Sequence, residues 1–303
     1  MEKIGLVTIT YNSENVLDRF LHSALKQSFD EFMIYIIDNN SSDNTLKLLQ
    51  KYDDPRIKIV INESNFGVAK ANNQGIKLAL NDGCSQVLII NNDTEFEEFL
   101  IEKMLAIQRK NNCSLVVPRI MFFDTPEIVW YAGGKFIKSK GFLPEHIGNN
   151  QKYDKDLNIV NQVDYAPTCC LLVKKEVFDD IGFMDEKYFV YFDDTDFMYR
   201  ILKQNKHKLF YFSDVVFYHK VGSLTRSFTD PKSDIRYRGN FFIKYNVRNH
   251  IYFLKKIGTL YTYLFILFLF FKNNVRFLFS PAFPKNYKTW YLINKSYFQG
   301  IFM

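Results

Sequence analysis

Tryptophan is scarce in this chain, with two among 303 residues. Cysteine is scarce too: Cys84, Cys113, Cys169 and Cys170 show no metal-ligand spacing, and the adjacent pair cannot easily bridge. Free thiols in a reducing compartment are the plain reading. No Lys/Arg block stands out, and a formal charge of +6 is mild for this length, so no nucleic-acid arm is expected. The opening "MEKIGLVTITYN" lacks the basic start and apolar run of a signal peptide, which leads to the expectation of a cytoplasmic catalytic part. No glycine-rich phosphate loop of the Walker or dinucleotide type occurs, nor any internal repeat or low-complexity linker.

What is abundant is apolar and aromatic. Hydrophobic residues make up 47%, with Phe 31 and Tyr 19, enough for a sizeable core in one large or two smaller domains. Over residues 1–115, short apolar runs alternate with stretches of helical spacing. Strands are expected at residues 4–11, 32–40, 56–62 and 86–93, with helices between and after them. Ser42 or Asp43 is placed to cap the second helix. Such alternation implies an α/β fold with a mostly parallel sheet flanked by helices. Each strand ends in polar residues, among them Asn12, Asp38, Asn62 and Asp93. In parallel sheets ligands bind beyond the carboxyl ends of the strands, so these residues are expected on one functional rim.

Several segments carry candidate chemistry, each with a plainer alternative. Asp38 can accept bonds from a nucleotide base or ribose, or serve a turn. Asp93, just past the fourth strand, can hold a diphosphate through a divalent cation, or cap a turn. Lys70 and Asn73 follow the turn at Asn65 and Gly67; Lys70 can meet a phosphate or stay solvated. His219 can be a ligand or a structural histidine. In "YFVYFDDTDFMYR" (residues 188–200), Asp193, Asp194 and Asp196 sit among aromatics. They can favour a helix N-terminus, or provide a base tuned by partial desolvation.

In order along the chain, "VTITYN", "IIDNNSSD", "NFGVAKANNQGI", "LIINNDT", "CLLVKKEVFDDIGFMDEKYFVYFDDTDF" and "YHKVGS" form a specific set. The sequence resembles the family 2 inverting glycosyltransferases of GT-A fold, especially their rhamnosyltransferase-like branch, over roughly residues 4–225. The resemblance implies a GT-A, Rossmann-like sheet divided into a nucleotide-sugar-binding half (1–115) and an acceptor-binding, catalytic half (116–228). It implies base recognition by Asp38, with Thr8 and Thr10 flanking, and donor contacts from Lys70, Asn73, Asn91 and Asn92. Asn91 departs from the family's Asp-x-Asp motif, leaving Asp93 as the main ligand of Mg2+ or Mn2+, with His219 completing the site. Asp194 matches the catalytic base, and Asp193 stands where Glu is usual. The implied partners are a dTDP- or UDP-linked sugar, with rhamnose the leading expectation, and an oligosaccharide or lipid-linked glycan acceptor.

Residues 229–303 are aromatic-rich and helical in pattern. The apolar run 257–271 is shorter than a spanning helix and is bracketed by Lys255, Lys256, Lys272 and Arg276. It suits a helix at the inner-leaflet membrane surface, and the protein is expected to be peripheral there. A buried amphipathic helix or a homodimer contact is the alternative. A nucleotidyltransferase would need an early phosphate loop that "TITYNSEN" lacks. An inactive binding protein would have little reason to keep Asp38, Asp93, Asp194 and His219.

Overall fold

The computed structural model describes residues 2–154, 157, 160–220, 239–279 and 286–303. The division expected between 228 and 229 lies outside them, as do Val221, Gly222 and Ser223 of the last motif. In chain order the first elements are β1 (Ile4–Thr10), α1 (Leu17–Leu25), β2 (Phe32–Asp38), α2 (Thr45–Leu49), β3 (Ile57–Ile61), α3 (Val68–Asn81) and β4 (Gln86–Ile90). β5 (Thr94–Phe96), α4 (Leu100–Lys110), β6 (Leu115–Pro118), β7 (Ile120–Phe122), β8 (Val129–Tyr131), β9 (Gly134–Ile137) and β10 (Leu143–His146) follow. Then come β11 (Asn161–Gln162), β12 (Cys170–Lys174), α5 (Lys175–Ile181), α6 (Asp193–Gln204), β13 (Leu209–Phe212) and β14 (Phe217–His219). The last helices are α7 (Asn240–Ile257), α8 (Leu260–Phe279) and α9 (Tyr287–Phe302).

The main sheet has the order β11-β13-β6-β12-β4-β1-β2-β3. β3, β2, β1 and β4 are parallel, as the alternating pattern requires, and β4 is buried at every residue because both its faces are covered. β12 runs antiparallel between β4 and β6, so the complete sheet is mixed. Strands from both sides of residue 115 thus share one sheet. Helix α1 buries Leu17, Phe20, Leu21 and Ala24, the single apolar face its spacing gives. Neither Ser42 nor Asp43 is the capping residue of α2: that position is Asn44, with no side-chain cap, while the Asp43 carboxylate just before it accepts from the Thr45 amide, 3.0 Å away.

Two features of this frame position the site. Thr10 pairs with Asp38 in the β1–β2 register, which brings those strand ends level. A second sheet, β5-β14-β7-β8, sets His219 opposite Thr94, the residue after Asp93.

The C-terminal helices pack on one another through Ile251, Leu254, Ile266, Leu269 and Tyr297. Another face of α7 joins Tyr188 and Phe192 through Tyr252, Phe253 and Ile257. The apolar run expected over 257–271 is interrupted: Gly258 takes a left-handed φ of 69°, so Ile257 ends α7 and a separate helix follows.

Candidate active site

A cavity of about 820 Å³ opens at the rim. Tyr11, Asn39, Asn65, Gly67 and Asn91 line one side of it, at the ends of β1, β2 and β4 and the start of α3. Asp93 and His219 share it with Trp130. Asp193, Asp194 and Thr195 line it from the start of α6, and Phe189, Tyr191, Phe241 and Tyr245 from the aromatic side.

Asp93 and His219 form a buried pair, Oδ1 to Nε2 at 3.3 Å. Burial opposes charge on the imidazole, but the Asp93 carboxylate and the Cys169 thiol outweigh it and push His219 up to about 10. The Trp130 ring stands edge-on to His219 with centroids 4.8 Å apart. A carboxylate oxygen and an imidazole nitrogen converging on a cavity are donors that suit a divalent cation such as Mn2+. Among the described residues no group of three His, Cys, Asp or Glu converges, so these two would hold such an ion together with ligand oxygens and water.

The acids of α6 separate by surroundings. Asp194 is partly exposed; its Oδ2 accepts from the Tyr165 hydroxyl at 2.7 Å, and its Oδ1 accepts from the Thr195 amide at 2.6 Å. Asp193 is buried, and burial together with the neighbouring Asp194 charge pushes it up to about 8. Asp196 is buried too, but it is paired, with Arg200 at 2.9 Å and Lys256 at 2.7 Å. No side chain caps α6; the capping residue, Phe192, has a left-handed φ of 70°.

Other expected site residues turn their polar atoms elsewhere. Asp38 is fully buried and does not line the cavity. Its carboxylate accepts from Thr10 Oγ1 (2.7 Å), Ser41 N (2.9 Å) and Ser41 Oγ (2.6 Å), fixing the turn after β2. Thr8 is fully buried, and its hydroxyl has no hydrogen-bond partner. Lys70 sets its ammonium 3.8 Å from the Phe66 ring centroid, outside the cavity lining. Asn73 brackets the loop after α5, donating to Met184 O and Glu186 Oε1 and accepting from Met184 N. Asn92 donates to Ile9 O and Ser13 Oγ, tying the turn after β4 to β1.

Sequence reasoning missed Asn39, Tyr165, Trp130 and the α7 wall. Asn39 stood within the "IIDNNSSD" motif, and Trp130 is one of only two tryptophans. Tyr165 and α7 carried no local signal. Gly67 has a visible purpose: with φ 84° it lets the start of α3 meet residue 189, where a Cβ would strike the Phe189 backbone.

The sequence profile described as Glycosyl transferase family 2 matches residues 6–182. Among curated relatives, the low-salt glycan biosynthesis hexosyltransferase Agl10 of Haloferax volcanii is 27% identical over 214 residues, covering 68% of this chain and 63% of the relative. The N-acetylglucosaminyl-diphospho-decaprenol L-rhamnosyltransferase of Mycobacterium tuberculosis is 26% identical, covering 77% of this chain and 80% of its own. The chain thus spans less than two thirds of Agl10, and the same holds for GlyG of Streptococcus pneumoniae at 64%. Among solved structures, S. aureus TarS 1–349 in complex with UDP-GlcNAc superposes with a TM-score of 0.60 at 16% identity, covering 99% of this chain and 81% of TarS 1–349. GalNAc-T7 with UDP, GalNAc and Mn2+ gives 0.58 at 17% identity, over 72% of this chain and 44% of its own. These structural likenesses establish a GT-A type fold.

Proposed function

The chain belongs to glycosyl transferase family 2, and from that premise we propose that it moves a sugar from a nucleoside-diphosphate donor to a hydroxyl of a growing, lipid-linked surface glycan, with inversion. The observation that carries this reading is that Asp194 and the Asp93–His219 pair open onto one cavity. Asp194 takes the proton of the acceptor hydroxyl as its oxygen bonds to the anomeric carbon. The bond from that carbon to the diphosphate breaks on the opposite face, and its electron pair leaves with the nucleoside diphosphate. One base suffices, since no sugar–enzyme bond forms. The Tyr165 hydroxyl holds Asp194 Oδ2 in place during the transfer. Mg2+ or Mn2+ fits the Asp93–His219 pair and, when bound, supplies positive charge against the departing diphosphate.

Rhamnose from a dTDP donor is the first candidate, supported by the name of the mycobacterial relative. A UDP-linked hexose or N-acetylhexosamine is the second, supported by the UDP-GlcNAc bound in the TarS complex. Turnover of dTDP-rhamnose, UDP-glucose, UDP-galactose and UDP-GlcNAc, with and without Mn2+, tests the reading. Nucleoside diphosphate released from one donor, dependent on Mn2+ and on Asp194, is expected. Binding without turnover of any donor would favour a catalytically inactive binding protein.

The same reading places α8 and α9 on an anionic membrane surface at the cytosolic face. No Asp or Glu follows Asp234, while Lys and Arg recur to the end of the chain. Leu264, Leu267, Phe268, Phe271 and Leu278 of α8 are each more than half exposed. Helix α8 has 20 residues and enough hydropathy to cross a bilayer by length and composition. Yet Ile266 and Leu269 pack inward, and Asn274 binds the Trp290 indole and Asn294. A helix packed on one side and apolar on the other suits the plane of the interface. A homodimer through this face is the second reading.

A further inference from the structure

The catalytic acids follow an unusual backbone. Tyr191 and Phe192, consecutive and both bearing a Cβ, have φ 64° and 70°. Left-handed residues of this kind persist where the surroundings hold them. Helix α6 starts at the next residue, so any tilt of this pair passes directly to Asp194.

Helix α7 holds the pair: Phe242 packs on the Tyr191 ring, and His250 and Phe253 on the Phe192 ring, while one stripe of the helix grips the backbone around them. Tyr245, Asn249, Tyr252 and Lys256 are spaced four, three and four, the repeat that puts side chains on one helix face. Tyr245 stacks on Phe189 with centroids 5.4 Å apart. Asn249 is fully buried, and its amide nitrogen donates to both Val190 O (2.8 Å) and Tyr191 O (2.9 Å). Its own oxygen accepts from Arg248 Nε at 2.8 Å, so the amide orientation is fixed. Tyr252 donates to Asp185, and Lys256 bridges Asp185 and Asp196 at 2.7 Å each. From the opposite side, Val68 N donates to Phe189 O at 2.7 Å. The segment is therefore clamped between α3 and α7, and Asn249 donates to two carbonyls at its left-handed turn.

We propose that Asn249 is a positioning residue for the Asp194 base, acting through the carbonyls of Val190 and Tyr191. The helical C-terminal region is then a splint for the catalytic acids as well as a wall of the cavity. Asp194 as base rests on the function proposed above; Asn249 as the anchor of the turn does not.

The test uses the full chain with Asn249→Leu, which removes both donors at similar size, and Asn249→Ser, which keeps one. Turnover is measured on the donor the wild type accepts, UDP affinity by calorimetry with Mn2+, and amide exchange across residues 188–196 by mass spectrometry. Turnover in Asn249→Leu should fall about 100-fold, the scale of an ångström misplacement. UDP affinity should stay within about twofold, since uniform binding is untouched. Exchange should quicken over 190–196 alone, with Asn249→Ser intermediate in both turnover and exchange. Folded variants with wild-type exchange at 190–196, or with turnover within about threefold of wild type, would overturn the proposal. A parallel loss of melting temperature, UDP affinity and turnover in both variants would also overturn it, because that marks a role in the whole fold. A wild type that turns over no donor would refute the proposed function instead, and the exchange measurement would still decide whether Asn249 holds the turn.

Discussion

Asp193→Asn should stabilise this protein, and more so as pH rises. The carboxyl is buried and sits near 8 in the folded chain, against an ordinary value of 3.8. Below 3.8 both folded and unfolded chains carry the proton, and no difference arises. Between 3.8 and about 8 the unfolded chain releases a proton that the folded chain keeps, so stability falls with rising pH. Above 8 the full cost of burying the charge remains. A gap of about 4 in pH, at roughly 1.4 kcal/mol each, puts that cost on the order of 5 kcal/mol. Asparagine keeps the shape and never ionises, so the cost disappears. At pH 8.5 the variant should melt several degrees above wild type, while at pH 4 the two should nearly coincide. Asp194→Asn should make the slope shallower without abolishing it: it removes the second cause of the shift, the neighbouring charge, and leaves the first, burial. Thermal unfolding by circular dichroism from pH 4 to 9 measures all three proteins. An Asp193→Asn variant with the wild-type pH slope, or one less stable at pH 8.5, would refute the reasoning.

Asp194→Asn should lower turnover by about 10² to 10⁴, the usual worth of a general base, with UDP binding by calorimetry intact. Near wild-type turnover would remove Asp194 from the mechanism, and Asp193→Asn should lose far less. The Asp93–His219 pair stabilises the metal-free protein fully below pH 6.5, and this contribution fades as pH rises through about 10. Asp93→Asn should flatten that decline in melting temperature between pH 7 and 10 and abolish stabilisation by Mn2+. Leu264→Glu with Phe268→Glu should release the protein from phosphatidylglycerol vesicles in co-sedimentation without altering donor turnover in solution. Unchanged vesicle binding, or a change in sedimentation coefficient from dimer to monomer, would move α8 from membrane to partner subunit.

The parallel core was legible because β1, β2 and β4 are almost wholly buried strands whose apolar runs need no context. The polar strand ends were legible for the same reason, and so was the acid cluster that opens α6. What could not be read was orientation. Asp38 and Asn39 are neighbours at one strand end, yet only Asn39 lines the cavity, because the Asp38 carboxylate is held by Thr10 and Ser41. Asn73 sits on the expected helix, but the loop at Met184 takes all of its hydrogen-bonding groups. β12 reads as a buried apolar strand in either direction, and its antiparallel insertion is decided by neighbours remote in sequence. The contacts of Tyr165 with Asp194 and of Asn249 with Val190 are equally non-local, and no spacing rule reaches them.

The pairing of β5 with β14 has a consequence for synthesis. Asp93 leaves the ribosome long before His219, and at about 5–20 residues per second the interval is on the order of ten seconds. Through that interval the first sheet can assemble around β1, β2 and β4, while the imidazole beside Asp93 does not yet exist. The Asp93–His219 pair is thus a late checkpoint: a chain truncated before β14 can have its parallel core and still lack one of the two groups proposed to hold a cation.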